Sequence, residues 1–362
     1  MHLKDIDTPA LLVDLDRLED NLVRMKNLAE NNNVHLRPHT KTHKSPEIAK
    51  MQIEKGANGI TCAKISEAEI MAEAGLDDIL IANEIIGAIK HRRLIDLAEN
   101  IKLCVAVDSL FGIQTLAAAF SAAERQIEVV IEINCGQDRC GVAPGPQVLE
   151  LAVEIQRQRG LQLRGLMSHG GHAYNQNGQA EIEKVGLAES NTIVDLAELL
   201  RSNDIEINTL SVGSSPAAQY CAAVPGITEI RPGTYVFNDR TQVALQACAT
   251  ENCALSVLAT VMSKPTASRA VIDAGRKVLT SDMARPGEGA GFGWVVEKNS
   301  TVTRLSEEHG MIDADAKFEI GEKVNVIPNH VCVVVNMLNK IYGVRNGNVE
   351  HIFEVAGRGA VT

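Results

Sequence analysis

A (β/α)8 barrel joined to a mostly β domain is the fold this sequence predicts, on three observations. Eight short apolar, β-rich runs recur with helical segments between them, the strand count of a closed barrel. Past Leu245 the pattern changes to strands with few helices. Polar groups also gather at the carboxyl ends of the eight runs, where active sites of such barrels sit.

Thr8 to Asp14 reads as a strand, and Asp16-Arg17-Leu18-Glu19 resembles a capping box opening a helix that runs to about Asn31. The barrel runs follow at Val34 to Lys41, Gly59 to Lys64, Asp78 to Glu84, Lys102 to Asp108, Glu128 to Asn134, Leu163 to His169, Thr209 to Ser215 and Glu229 to Tyr235. Ser45 to Lys55 and Ile65 to Ala74 are among the helical segments between them. In the second domain the expected strands are Ala254 to Lys264, Arg269 to Asp273, Lys323 to Pro328, Val331 to Val335 and Ile341 to Val344. An irregular glycine-rich loop, Ala284 to Gly293, interrupts them. The division is therefore a barrel over 15–245 and a β domain over 246–362, completed by the N-terminal strand of 1–14.

Bulk properties narrow the function. With 362 residues, 45% of them hydrophobic, the chain can bury two cores. A formal net charge of -11 argues against a nucleic-acid partner, and 3% aromatic content against a base-stacking surface. No apolar run is long enough to span a membrane, and the first residues lack a signal-peptide core. Eight scattered cysteines without a CxxC pair suit reduced thiols, so a cytoplasmic location is expected.

The densest chemistry is Arg37-Pro38-His39-Thr40-Lys41-Thr42-His43-Lys44. A lysine among like charges or in an apolar pocket loses its proton more readily, and the neutral amine attacks carbonyls. Schiff-base chemistry on a substrate aldehyde or on pyridoxal phosphate suits such a group; a solvated basic loop is the competing reading. Gly213-Ser214-Ser215 and Gly233-Thr234-Tyr235 end the seventh and eighth runs, where barrels of this kind hold a phosphate on backbone N–H groups. Arg139 follows the fifth run and suits either an oxyanion or a surface salt bridge. Arg231 lies within the eighth, where a buried guanidinium requires an acceptor. His169 ends the sixth run, placed either against a ligand ring or as a hydrogen-bonded core residue. In the β domain, His330 and Cys332 are two apart, which on a strand would turn imidazole and thiolate to one face as a metal half-site.

Taken together, these pieces resemble the fold-type III pyridoxal-phosphate enzymes of the D-threonine aldolase and D-serine dehydratase group. The likeness runs over nearly the whole chain, through Asp7-Thr8-Pro9, the basic octapeptide, Glu67-Ala68-Glu69, Gly136 to Gly141, His169 to Tyr174, Gly213 to Pro216, Arg231-Pro232-Gly233, Ser306 to Gly310 and Pro328 to Cys332. It implies that Lys41 holds pyridoxal 5'-phosphate as a Schiff base and that the phosphate lies on Gly213, Ser214, Gly233 and Tyr235. Arg139 would meet the ring phenolate oxygen, Arg231 the pyridine nitrogen, and His169 the ring face. His330 and Cys332 would bind a divalent metal, with zinc preferred over manganese or magnesium on donor chemistry. The substrate class implied is a small β-hydroxy D-amino acid, and a homodimer is expected from the family.

Cys332 and Gly213-Ser214-Ser215-Pro216 look more like the dehydratases, which eliminate water from D-serine to leave a keto acid and ammonia. The alternative is a D-threonine aldolase, in which a base such as His172 takes the hydroxyl proton and glycine and an aldehyde leave. A racemase, or a non-catalytic cofactor-binding protein, ranks below both.

Overall fold

A parallel strand covered on both faces reads as an unbroken apolar run, and such runs build the first half of this chain. The structure is a computed structural model that describes residues 1–284, 290–313 and 317–362. Arg285, Pro286, Gly287, Glu288 and Gly289 of the expected glycine-rich loop lie outside the described residues. Two compact units divide the chain, one of Met1–Val23, Thr42–Ile48 and Thr234–Gly359, the other of Arg24–Lys41, Ala49–Gly233 and Ala360–Thr362.

The chain opens with β1 (Ala10–Asp14) and α1 (Leu15–Asn31). Here Asp14, not the expected Asp16, caps the helix: its Oδ1 accepts the Arg17 N–H at 3.1 Å. The barrel strands are β2 (His35–Leu36), β3 (Ile60–Cys62), β4 (Asp78–Glu84), β5 (Lys102–Val107), β6 (Ile127–Ile133), β7 (Leu161–Ser168), β8 (Thr209–Val212) and β9 (Glu229–Ile230). Between them run α2 (Pro46–Glu54), α3 (Ile65–Glu73), α4 (Ala88–Leu97), α5 (Leu110–Ala122), α6 (Pro146–Arg157), α7 (Gln179–Arg201) and α8 (Ala218–Ala222). The strands form one parallel sheet in the order β2-β9-β8-β7-β6-β5-β4-β3, and a bridge between His39 and Thr61 joins its two edges.

Helix α6 shows how the outer layer is written into the sequence. Pro146 starts it without wasting an N–H, and Val148, Leu151, Ala152 and Ile155, at helical spacing, are its buried face. Inside the barrel, Leu80, Cys104, Ala106, Val130 and Met167 form a buried apolar layer.

In the other unit, α9 (Arg240–Ala244) precedes a largely antiparallel sheet of β10 (Leu255–Thr266), β11 (Arg269–Ile272), β12 (Gly293–Val295), β13 (Ser300–Thr301), β14 (Arg304–Leu305), β15 (Gly310–Asp313), β16 (Lys323–Pro328), β17 (Lys340–Arg345) and β18 (Asn348–Glu354). Two short helices, α10 (Arg276–Leu279) and α11 (Val331–Val335), interrupt it. The main path runs β13-β12-β16-β10-β1-β17-β18, with β1 antiparallel to β10 and parallel to β17. Ile6, Ala10, Leu12 and Leu258 pack as one buried cluster there.

Val331 to Val335 is a helix and not the strand its β-branched run predicts. Both sides of β16 are already paired, with β10 and β12. The Val331 N–H, an orphan donor at the helix start, is taken by Asp239 Oδ2 at 3.1 Å. Among the described residues no helix is long and apolar enough to cross a membrane.

Candidate active site

The carboxyl ends of the barrel strands hold Lys41. It lies in a 3-10 turn, Thr40–Thr42, which follows β2 and the bridge at His39. The turn is pinned from below. Thr40 Oγ1 donates to the Thr61 carbonyl at 3.0 Å and to Glu67 Oε1 at 3.1 Å, and Glu67 Oε2 accepts the Ala63 N–H at 2.7 Å. Glu67 is fully buried on α3, so the turn that carries the lysine rests on a carboxylate shielded from water.

Two imidazoles flank this turn. Burial, reinforced by the charges of Lys41, Arg231 and Arg139, holds both His39 and His169 well below the usual histidine range, so both are neutral at pH 7. His39 Nδ1 accepts the Lys41 N–H at 3.4 Å, which leaves the ring proton on Nε2. The charges of Lys41, Arg139 and Arg231 thus act on both imidazoles.

Arg231 lies one residue beyond the end of β9, because that strand stops at Ile230. Its acceptors are the Ser211 hydroxyl, at 2.6 Å, and the Ser168 carbonyl. Arg139 is about half exposed (49%), with Nη2 3.5 Å from Glu132 Oε1, so its salt bridge and its place at the mouth coexist. His172 sits in the turn Gly171–Asn175, with Nδ1 buried and without a hydrogen bond among the described residues. Gly136 makes room for it: a Cβ there would stand 3.3 Å from the ring.

The expected phosphate loop has the form such a group needs. Gly213 takes φ +98°, and a Cβ built on it would meet nothing within 4 Å, so open space faces it. The Ser214 hydroxyl is buried with no hydrogen-bond partner, an orphan that a phosphate oxygen would satisfy. The Gly233 N–H, by contrast, already donates to Ser215 Oγ at 3.2 Å. Tyr235 is buried in the turn Thr234–Val236 of the other unit. Behind the loop stands Glu189 of α7, which the sequence reading did not select. Its Oε1 accepts from Ser168 Oγ at 2.7 Å, the Gly170 N–H at 2.9 Å and the Gly213 N–H at 3.1 Å.

The basic octapeptide is not one cluster. Arg37 is buried and turns to the opposite end of the barrel, onto Asp78 and Glu229, the residues that open β4 and β9. His43 is buried and accepts the Ser45 N–H, and Lys44 Nζ donates to the Gly357 carbonyl at 3.2 Å. Lys41 alone of the cationic side chains, with His39 beside it, belongs to the mouth.

In the other unit, His330 and Cys332 do not share a strand face. His330 follows the end of β16 and Cys332 is in the first turn of α11, yet the two side chains are in hydrogen-bond contact. Burial disfavours charge on His330, but Cys332, Asp239 and Asp282 outweigh it and raise the imidazole to about 9. Asp282 Oδ2 lies 3.1 Å from His330 Nδ1, a contact that orients the ring. Thr42 Oγ1, next in sequence to Lys41, is 3.3 Å from Cys332 Sγ. Among the described residues no three His, Cys, Asp or Glu side chains are arranged to hold a metal.

The family model for the alanine racemase N-terminal domain matches residues 13–241. The chain belongs to this family of fold-type III pyridoxal-phosphate enzymes. A second model, for a putative serine dehydratase domain, matches residues 254–344 of this family member. It is 36% identical to a D-threonine aldolase of Arthrobacter sp over 99% of its length and 94% of that protein. With the D-threo-3-hydroxyaspartate dehydratase of Delftia sp. it shares 34% identity over 91% of the chain and 92% of the relative. The crystal structure of D-threonine aldolase from Filomicrobium marinum superposes with a TM-score of 0.92 at 34% identity, covering 99% of this chain and 98% of that one. A mutant D-threo-3-hydroxyaspartate dehydratase solved in a metal-free form gives 0.91 at 30% identity, covering 98% of each chain. For pyridoxal phosphate the residues fit: an amine, two neutral imidazoles, two guanidinium groups, and an orphaned hydroxyl beside an open glycine.

Proposed function

We propose that this enzyme is a pyridoxal-phosphate- and metal-dependent lyase of small β-hydroxy D-amino acids, with dehydration to a keto acid and ammonia as its reaction. The observation that carries this reading is the setting of Lys41, among Arg139, Arg231 and two histidines held neutral. Its relatives are named D-threonine aldolase, D-threo-3-hydroxyaspartate dehydratase and D-serine dehydratase, which share the substrate type and differ in the bond broken.

Lys41 would hold the cofactor, Gly213 and Ser214 its phosphate together with Gly233 and Tyr235, Arg231 its ring nitrogen, Arg139 its phenolate oxygen and His169 its ring face. When bound, pyridoxal phosphate withdraws electrons from the bonds at the substrate Cα. Lys41 Nζ, freed from the cofactor when the substrate amine takes its place, would take the Cα proton. His330 and Cys332 would hold a divalent cation, zinc by their nitrogen and sulfur donors, which would supply Lewis acidity towards a β-hydroxyl. Neutral His39 and His169 leave the positive charge at the mouth to the guanidinium groups, which suits an anionic substrate carboxylate. The barrel, 15–245, supplies the cofactor residues; the β domain, 246–362 with 1–14, supplies the metal pair. The protein is further assigned to the cytoplasm, as a homodimer without nucleic-acid or membrane partners.

The aldolase reading is favoured by one feature, the buried and unpartnered His172 Nδ1, which would take a hydroxyl proton in place of hydroxide departure. Product analysis separates the two. Purified protein is given D-serine, D-threonine and 3-hydroxy-D-aspartate, with zinc or manganese added and then removed by chelator. Ammonia and a keto acid, lost with the metal, support dehydration. Glycine and an aldehyde establish the aldolase, and no turnover with bound cofactor overturns both.

A further inference from the structure

Glu84 closes β4, and Glu132 is next to last in β6, two strands further round the barrel. Glu84 pairs with Ala106 of β5, beyond an irregularity in β4 between Ile81 and Glu84, and Glu132 pairs with Met167 of β7; paired residues of parallel strands share a face. Both carboxyls thus stand in the barrel interior, above the apolar layer of Leu80, Cys104, Ala106, Val130 and Met167. Glu132 is only 3% exposed. Glu84 Oε1 is buried and receives no hydrogen bond from a described residue, yet Glu84 and Glu132 are within hydrogen-bond reach of each other. Two carboxylates cannot donate, so a hydrogen bond between them requires a proton on one of the two.

Other charged groups face the pair from each neighbouring element. Arg139 reaches Glu132 at 3.5 Å, and Arg231 acts on it from beyond β9. The Cys140 thiol, raised by burial and then by both carboxylates, stays protonated. Asp108, after β5, is occupied with the Gly141 N–H at 3.2 Å. Burial, and after it Glu84, push Glu132 up to about 7 against both arginines.

We propose that Glu84 and Glu132 share a single proton, and that this acid pair positions Arg139 at the barrel mouth. The inference deepens the proposed function, since it rests on Arg139 meeting the cofactor. With one proton the pair presents one negative charge to Arg139; when the proton leaves, a second carboxylate draws the guanidinium inward. Glu84 and Glu132 are positioning residues and touch no reacting atom.

The test uses the full chain with and without pyridoxal phosphate. Carboxyl NMR of isotope-labelled glutamate in the cofactor-free protein should show one group titrating near neutrality, and Glu84→Gln should lower that midpoint by about one pH unit or more. In the loaded protein, the cofactor absorbance should change with pH over the same interval. Above that lowered midpoint Glu84→Gln, which keeps a donor to the one remaining carboxylate, should hold the low-pH spectrum, whereas Glu84→Ala, which loses the donor, should not. Independent titration of both carboxyls below about pH 5 would overturn proton sharing. Identical spectra for the Gln and Ala variants would overturn the positioning role. A chain that shows the shared proton but binds no pyridoxal phosphate would sink the cofactor reading and the role of Arg139 together, leaving the proton pair standing.

Discussion

Arg37 Nε lies 2.7 Å from Glu229 Oε2, with both side chains almost wholly out of water. Asp78 closes on the same guanidinium at 2.6 Å, so the most basic stretch of the chain begins with an arginine used to tie the amino ends of two strands. Arg37→Ala strands a buried carboxylate and is expected to lower stability by about 3–5 kcal/mol, measured by urea unfolding. Below the shifted melting temperature the variant should still bind cofactor, because Arg37 is not at the mouth. Loss of cofactor binding with unchanged stability would show that the residue has been misplaced.

Glu189 supports the phosphate loop from behind. Glu189→Ala leaves three donors without their acceptor, at a cost of about 2 kcal/mol or more. Because one of the three is the Gly213 N–H, affinity for pyridoxal phosphate should fall at least about tenfold, 1.4 kcal/mol. Fluorescence titration of the cofactor-free protein measures this, with Glu189→Gln expected to lie between the two.

Removal of the metal should separate cofactor binding from turnover. Cys332→Ala, or exhaustive chelation of the unaltered protein, is expected to reduce turnover by more than about a hundredfold, since loss of a partner that merely orients a metal ligand already costs about 10–100-fold. The cofactor absorbance band should stay, and metal content by atomic emission should drop. Full activity in a metal-free sample would refute the Lewis-acid role.

The proton on Glu132 has a thermodynamic signature. Its folded-state affinity is raised, from 4.5 to about 7, so the folded chain binds more protons than the unfolded chain between those values. Stability contributed by this group is therefore full below about pH 4.5 and is lost as the pH rises towards 7, by about 3 kcal/mol in all. Buried His39 and His169 act in the opposite sense: folded affinities depressed below 6.5 give stability that is present above that pH and lost on acidification. The difference between Glu132→Gln and the unaltered chain isolates the first effect. A difference that does not change between pH 4.5 and 7 would contradict it.

Much of the barrel was legible because its strands carry unbroken apolar runs, such as Ile79-Leu80-Ile81, between helices of clear period. The second sheet was less so. Strands β12 to β15 are two to four residues long, and β18 exposes Glu350 and His351 on a strand at the end of the sheet path, beside β17. The Val331 run failed for another reason: the strand positions beside β16 were taken, a fact of topology and not of propensity. At the mouth, Lys41, His169 and Arg231 were selected for their expected places at strand ends; His169 and Arg231 stand one residue past β7 and β9, and Lys41 five past β2. Glu189 was not selected, although one signal existed. It shares a helix face with Ile182, Gly186, Ile193 and Leu200, all buried, and a carboxylate on an apolar stripe needs donors to face it.

The central place of β1 in its sheet has a consequence for how the chain acquires its structure. Ala10 to Asp14 leave the ribosome first among the sheet strands, yet Leu255–Thr266 and Lys340–Arg345, the neighbours on either side, are synthesised more than two hundred residues later. Through most of translation this apolar segment has no permanent partner, an exposure that favours chaperone capture or mispairing with another nascent chain. Completion of that sheet must therefore be a late event, governed by the closure of a very long loop. A fragment beginning at Ala254 would lack the strand that joins its two halves.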